Sequence, residues 1–376
     1  MPAALLAGAY GQGNLGDDAL LQAFVKALPD WSLAVTCDDP TTAEELGCQP
    51  VPSSRPGAVA RAALRADAIV VGGGTVFKTL HPAAGRRPYA LLANASALIA
   101  LSSMVGRPVA FVGVGAGELP DRRSRALALF IIRHADLLIL RDEESARELI
   151  RAGSPGPLRV GADPAWTLVG PPEARTAHES SVRIVPSVYA VGADGWSGMI
   201  QRITDTVSGL LAAGCTVQLQ AWEQHPRRAK IDDRLIVDAL SSRFGRSVEV
   251  VPKPDSIEAA AQSMAGNGTV VCFRFHALLA AAAAGVPSIA VTHENKLNAM
   301  ARRLEQRIAP VNFDPATLVG QVAEAVTAPG PAPSVIKEQI DLADEGFRHL
   351  RVLLSRGHSD EADSLGALPL ISAPPS

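Results

Sequence analysis

The chain opens on an apolar run at residues 3–9, passes through a glycine-rich turn, and continues at 17–28 with apolar residues at helical spacing. The same alternation carries on to residue 152. Apolar runs at 33–36, 68–71, 109–114 and 137–140 predict strands, and the stretches at 89–105, 122–134 and 142–152 predict helices. The strands are nearly unbroken apolar runs rather than apolar–polar alternations. That pattern predicts a parallel sheet buried on both faces. A polar stretch with Gly-Pro-Pro at 169–181 interrupts the series. It then restarts, with strands predicted at 183–186, 216–221, 248–251, 269–273 and 288–292. Helices are predicted between them at 196–213, 227–244, 256–264, 276–284 and 295–306. Residues 334–354 carry one more helical period, and 358–376 are rich in Ser, Pro, Gly and Asp.

Two βα series joined by a polar connector predict the fold class α/β, with two Rossmann-like domains facing a cleft. The expected boundaries are 1–170 for the first domain, 171–182 for the connector and 183–330 for the second domain. A C-terminal helix at 331–357 and a flexible tail at 358–376 complete the chain. In open α/β sheets ligands bind beyond the carboxyl ends of strands, so the chemistry is sought there.

Composition narrows the classes. With 47% hydrophobic and 19% charged residues, the 376-residue chain is globular rather than disordered. A formal net charge of -3 offers no bulk basic field, so no nucleic-acid partner is expected. Cys37, Cys48, Cys215 and Cys272 form no CxxC pair, so neither a zinc site nor any other metal is expected. Cys215 and Cys272 read as small buried residues, consistent with a reducing cytoplasm. The first residues lack a basic segment followed by a long apolar core, so no signal peptide is expected. The apolar stretch 89–105 carries Asn94 and several serines and reads as a buried helix rather than a membrane span.

Several strand ends carry candidate chemistry. Gly11, Gly13, Asn14 and Gly16 form a turn that leads into Asp17 and Asp18 at a helix start. Such a turn admits a ligand close to the backbone, and the carboxylates can accept a sugar hydroxyl or its proton. Capping the helix is the competing role for at least one of the two. Gly73, Gly74 and Thr75 end the third strand, and Gly115 lies in a glycine-rich end of the next. Arg141 sits where a strand meets the expected cleft, while the acidic residues after it suit a helix N-terminus. The strongest pair is Arg274 and His276, directly after the strand at 269–273. Arginine recognises carboxylate or phosphate through a planar fork, and histidine exchanges a proton near neutral pH. A structural ion pair and a helix cap are the competing roles. His293, Glu294 and Lys296 follow another strand and either face the same cleft or serve a helix N-terminus.

Taken in order, these pieces resemble the polysaccharide pyruvyl transferase family. They are GQGNLGDD at 11–18, the glycine turn at 72–75, GVGAGEL at 113–119, RDEES at 141–145 and ADP at 162–164. The last runs from Arg274-Phe275-His276-Ala277 through Gly285-Val286-Pro287 to Lys296, so the resemblance covers residues 5 to 305. It implies a GT-B-like fold with the acceptor on the N-terminal domain and the donor on the C-terminal one. It also implies transfer of the pyruvyl group of phosphoenolpyruvate to a sugar, lipid-linked or polysaccharide acceptor of the cell envelope, usually as a cyclic ketal. The Arg–x–His pair of the family falls on Arg274 and His276. No cofactor is implied, and the implied location is cytoplasmic, or peripheral at the membrane through the acceptor. Pro186-Ser187-Val188-Tyr189 stands where the family often has an Arg-Pro-Trp-like stretch, and His293-Glu294 where it often has Tyr-Asp. The competing readings are a GT-B glycosyltransferase using a nucleotide sugar and a non-catalytic sugar- or anion-binding relative.

Overall fold

A computed structural model of the chain describes residues 1–80, 87–172, 178–225, 232–355 and 366–372. It divides into two compact units. The first comprises Met1–Gln12, Asp17–Thr167 and Gln339–Ser376, and the second comprises Gly13–Gly16 and Leu168–Glu338.

In the first unit the chain runs β1 (Ala3–Tyr10), α1 (Leu15–Ala27), β2 (Ser32–Cys37), α2 (Pro40–Glu44), β3 (Gln49–Pro52), α3 (Pro56–Arg65) and β4 (Ala68–Gly72). It continues through β5 (Thr75–Phe77), α4 (Ala90–Val105), β6 (Val109–Ala116), α5 (Arg122–His134), β7 (Leu137–Leu140), α6 (Glu143–Arg151) and β8 (Leu158–Val160). The main sheet order is β3-β2-β1-β4-β6-β7-β8, all parallel, with β5 added beside β6. Its centre is apolar on both faces. Leu5, Ile69 and Val71 pack with Phe111 and Leu140 under the helices, as the unbroken apolar runs require.

The second unit holds β9 (His178–Val185), α7 (Gly195–Ala212), β10 (Thr216–Gln220), α8 (Arg234–Phe244), β11 (Val248–Val251), α9 (Ile257–Met264) and β12 (Asn267–Cys272). After these come α10 (Phe275–Ala283), β13 (Ser288–Thr292), α11 (Asn295–Arg303), β14 (Arg307–Pro310) and α12 (Pro315–Ala325). Its six parallel strands are ordered β11-β10-β9-β12-β13-β14. Counted from its own first strand this is 3-2-1-4-5-6, the doubly wound order, with the reversal between β9 and β12. Helix α13 (Pro333–Leu354) follows, and the short β15 (Leu370–Ile371) pairs antiparallel with β8.

Three sequence expectations change. The connector expected at 171–182 does not stay outside the sheets. From His178 onward its residues belong to β9, whose polar Ser181 is satisfied by an Asn267 Nδ2 donor at 2.8 Å. Residues 173–177 lie outside the described part, as do 226–231, where the helix expected from 227 would begin. The tail expected to be flexible is anchored at 366–372, where Leu368 is buried and Leu370 pairs with Arg159. Its other residues, 358–365 and 373–376, lie outside the described part. The helix expected to 306 stops at Arg303. Glu305 takes a positive φ of 53° and the chain turns into β14.

The stretch read as a buried helix forms α4, with Leu92, Leu98 and Ile99 in the core. Among the described residues no helix is long and apolar enough to cross a membrane. Cys272 is buried in β12, whereas Cys215 is half-buried and sits just before β10.

Candidate active site

The second unit gathers charge around the end of its central strand. β12 is buried along its whole length between β9 and β13. Phe273 leaves it buried, and Arg274 stands in extended backbone as the residue before α10. The helix is almost entirely apolar and buried, so its N-terminus is fixed against the sheet with Arg274 and His276 at that end.

The Arg274 fork is held by carboxylates. Nε donates to Asp233 Oδ2 and Nη2 to Asp233 Oδ1, each at 2.6 Å, and Nη2 lies 2.8 Å from Glu223 Oε2. Its guanidinium carbon lies 5.5 Å from the centre of the Tyr189 ring, and the Tyr189 hydroxyl donates to Glu223 Oε1 at 3.1 Å. Asp233 also accepts the backbone N–H groups of Val188 and Glu223, each at 3.0 Å. One cation, its side chain 10% exposed, thus faces two buried carboxylates. Burial works against the Arg274 charge, but Asp233, with Glu223 adding to it, reverses this and holds the guanidinium above its ordinary range. Glu223 is raised, by burial first, with Arg274 opposing. Tyr189 is raised by burial and then by the Glu223 charge, so its phenol keeps the proton it donates.

The residues Gly13–Gly16 belong to this unit. The Gly13 carbonyl accepts from Lys253 Nζ at 2.8 Å and from the Gln224 N–H at 3.0 Å. Asn14 forms an antiparallel bridge with Glu223. At Gly13, with φ +76°, a Cβ would stand 2.2 Å from the Gln224 carbonyl oxygen; at Gly16 it would stand 2.0 Å from His276 Nδ1. Glycine at 16 is therefore what lets the imidazole sit against this turn.

His293, Glu294 and Lys296 follow β13. Lys296 Nζ pairs with Glu294 Oε2 at 2.6 Å, and the Glu294 side chain does not cap α11. Burial, reinforced by Lys296 and Arg274, lowers His293 to about 4.

A separate constellation lies in the first unit. The Arg141 side chain is 2% exposed. Its Nη2 donates to Thr75 Oγ1 and its Nε to Asp142 Oδ2, each at 3.1 Å, while Nη1 lies 3.8 Å from Asp163 Oδ2. A Cβ at Gly115 would stand 2.5 Å from Arg141 Nη2. At Gly113, with φ +65°, a Cβ would stand 2.3 Å from Pro164 Cδ, and the Ala116 N–H donates to Ser145 Oγ at 2.9 Å. Four of the sequence pieces thus meet at the ends of β4, β6, β7 and β8. Gly73 (φ +67°) packs on Leu20, and Gly74 (φ +69°) faces open space. Gly11 donates its N–H to Asp18 Oδ1 at 2.9 Å, and Asp17 lies in the first turn of α1, which begins at Leu15 rather than at 17.

The model of the family described as polysaccharide pyruvyl transferase matches residues 14–295. The chain belongs to this family. It is accordingly a transferase, and the matched span holds Thr75, Gly115, Arg141, Arg274, His276 and His293. No match was found among curated protein sequences. Solved structures with the GT-B fold are similar over nearly the whole chain. The UDP-GlcNAc 2-epimerase from Methanocaldococcus jannaschii is 14% identical with a TM-score of 0.59, covering 94% of this chain and 99% of that one. Anabaena HepE in complex with UDP and glucose is 12% identical with a TM-score of 0.56, covering 97% and 99%. CalG4, the calicheamicin glycosyltransferase, is 12% identical with a TM-score of 0.55, covering 96% and 100%.

For this pyruvyl transferase family member, sequence reasoning did not name Glu223, Asp233 or Lys253, and it met Tyr189 only within the stretch 186–189. Glu223 lies three residues beyond β10, where the strand-end rule already pointed. Asp233 was hidden inside a helix expected from 227, although α8 begins only at Arg234.

The depressed His293 has a measurable consequence. Its folded value lies below the ordinary value of 6.5, so the unfolded chain binds the extra proton first as the pH falls. The stability contributed by the neutral imidazole is full above about 6.5 and is lost as the pH falls toward about 4. The loss should reach about 2–3 kcal/mol. Urea midpoints at pH 7 and pH 4.5 should differ less in His293→Asn than in the native protein. An unchanged difference would assign the acid sensitivity to other groups.

Proposed function

We propose that this protein moves the pyruvyl group of phosphoenolpyruvate onto hydroxyls of a sugar or polysaccharide precursor and closes a ketal. The observation that carries this reading is the placement of Arg274 and His276 at the N-terminus of α10, at the end of the central strand. First-turn N–H groups and a guanidinium favour a small dianion. Asp233 grips Nε and Nη2, so the arginine is oriented before the donor arrives.

In this reading His276 gives a proton to the methylene carbon of phosphoenolpyruvate. The adjacent carbon becomes electron-poor and a sugar hydroxyl oxygen bonds to it. Phosphate leaves with its bonding pair, and a second hydroxyl closes the ring. The first hydroxyl's proton goes to a carboxylate, for which the sequence offers Asp17 and Asp18, and the second's restores the proton that His276 gave up. Lys296 is a further candidate for the donor anion, although Glu294 partners it.

The similar solved structures include complexes with UDP and with UDP-GlcNAc, which favours a nucleotide sugar donor as the second reading. A thermal-shift panel separates the two. A ligand at 100 times its Kd stabilises the native state by about 2.7 kcal/mol, which raises the melting temperature readably. Phosphoenolpyruvate should do so, while UDP-, GDP- and TDP-sugars and inorganic phosphate should not. A shift with a nucleotide sugar and none with phosphoenolpyruvate would replace the pyruvyl reading with glycosyl transfer. No shift with any donor, with or without acceptor sugars, would favour a non-catalytic relative.

A further inference from the structure

On the first unit α4 packs between α3 and α5. The two flanking helices hold Arg61, Arg65, Arg122, Arg123, Arg125 and Arg133, and none of the three helices holds an Asp or Glu. All six arginines are exposed, on a chain whose overall charge is -3. The side-chain contacts of Arg123 and Arg125 are with neutral groups, although the Arg123 backbone N–H donates to Asp121 Oδ1 at 2.8 Å. Arg123 lies 4.8 Å over the Tyr89 ring, and Arg125 Nε donates to the Leu119 carbonyl at 3.0 Å. Between the two arginine rows α4 turns only uncharged residues outward, among them Ala93, Ala97, Ala100 and Ser103. At its end Met104 is 78% exposed, with exposed Val105 beside it in the chain, and α3 exposes Leu64.

Single exposed apolar residues are ordinary on any protein surface. The unusual feature is an uncharged centre flanked by six arginines, with carboxylates only at the helix ends: Asp67 paired with Arg107, Asp121 capping α5, and Asp136 beyond it. We propose that this three-helix face docks on the surface of an anionic lipid bilayer. The arginines meet the headgroup phosphates, and Met104, Val105 and Leu64 enter the interfacial layer. A nucleic-acid backbone would be met by cations at the centre of the face, but the centre here is uncharged. The protein makes this membrane contact through its own surface, whatever its acceptor, so the inference does not rest on the donor proposed above.

The test is co-sedimentation of the whole protein with vesicles. One set holds phosphatidylglycerol and phosphatidylcholine in equal parts, and the other phosphatidylcholine alone. Binding should require the anionic lipid and weaken in high salt, because exposed charges are screened. Each arginine near such a surface is worth about fivefold in partitioning, so Arg61→Gln, Arg65→Gln and Arg122→Gln together should cost about 100-fold. Met104→Asp should weaken the binding that survives in high salt. These positions are exposed, so unchanged melting temperatures will show that the variants are folded. The proposal is overturned if the native protein does not sediment with the anionic vesicles, or if the triple variant binds them equally well. It is also overturned if the face instead drives a dimer that the triple variant loses, which would assign the face to a second copy of the chain.

Discussion

His276→Asn is expected to keep the fold and to lower turnover of phosphoenolpyruvate by about 10²–10⁴-fold, the usual worth of a positioned general acid. Asparagine fills much of the imidazole's space beside Gly16 and can still donate a hydrogen bond, but it cannot deliver a proton to carbon. The measurement is phosphate release from phosphoenolpyruvate in the presence of a panel of acceptor sugars, with circular dichroism to check folding. The Arg274 network is untouched by the change, so the thermal shift given by phosphoenolpyruvate should persist. Loss of turnover with retained donor binding is the signature of an acid. Full activity in the folded variant would place the acid on another residue.

The second large effect is expected at Asp233. This carboxylate is fully buried and serves four donors: two on Arg274, and the backbone N–H groups of Val188 and Glu223. In Asp233→Asn one acceptor oxygen becomes an NH2 group that must point at a donor, and Arg274 loses the partner that offsets its burial. Removing one member of a buried ion pair typically costs about 3–5 kcal/mol. Denaturant midpoints should fall accordingly, with little change in slope if the fold survives. The Arg274 side chain would also lose its fixed orientation, so the phosphoenolpyruvate shift should shrink. A variant as stable as the native protein would mean that Glu223 alone suffices to hold the guanidinium.

The two sheets were legible because parallel strands buried on both faces write themselves as plain apolar runs. β1, β4, β6, β12 and β13 are of that kind. The strands that escaped notice lack that signal. β3 is Gln-Pro-Val-Pro at a sheet edge, where proline is tolerated, and β8 has three residues with an exposed Arg159 at its centre. The strand-end rule led to Arg274 and His276 from chemistry alone. It did not reveal what holds Arg274, because Glu223 follows β10 and Asp233 stands before α8, both far from residue 274 in sequence. Arg141 is a parallel case. It stands at a strand end as expected, yet its guanidinium is buried among Thr75, Asp142 and Asp163, and it ties four sequence pieces together inside the first unit. Sequence position located a charged group in each case, but not the residues that hold it.

The chain passes between the two compact units four times, at 12–13, 16–17, 167–168 and 338–339. This threading bears on inheritance. A recombination event with a single crossover near residue 168 would bring together a first half and a second half from different ancestors. Each half would keep most of its sheet. But the Gly13 carbonyl that Lys253 and Gln224 hold, and the glycine that makes room for His276, would come from the other parent. Any ancestor with a side chain at position 16 would push the imidazole out of place. The loop and the unit that receives it must therefore descend together, although more than a hundred residues separate them in the gene.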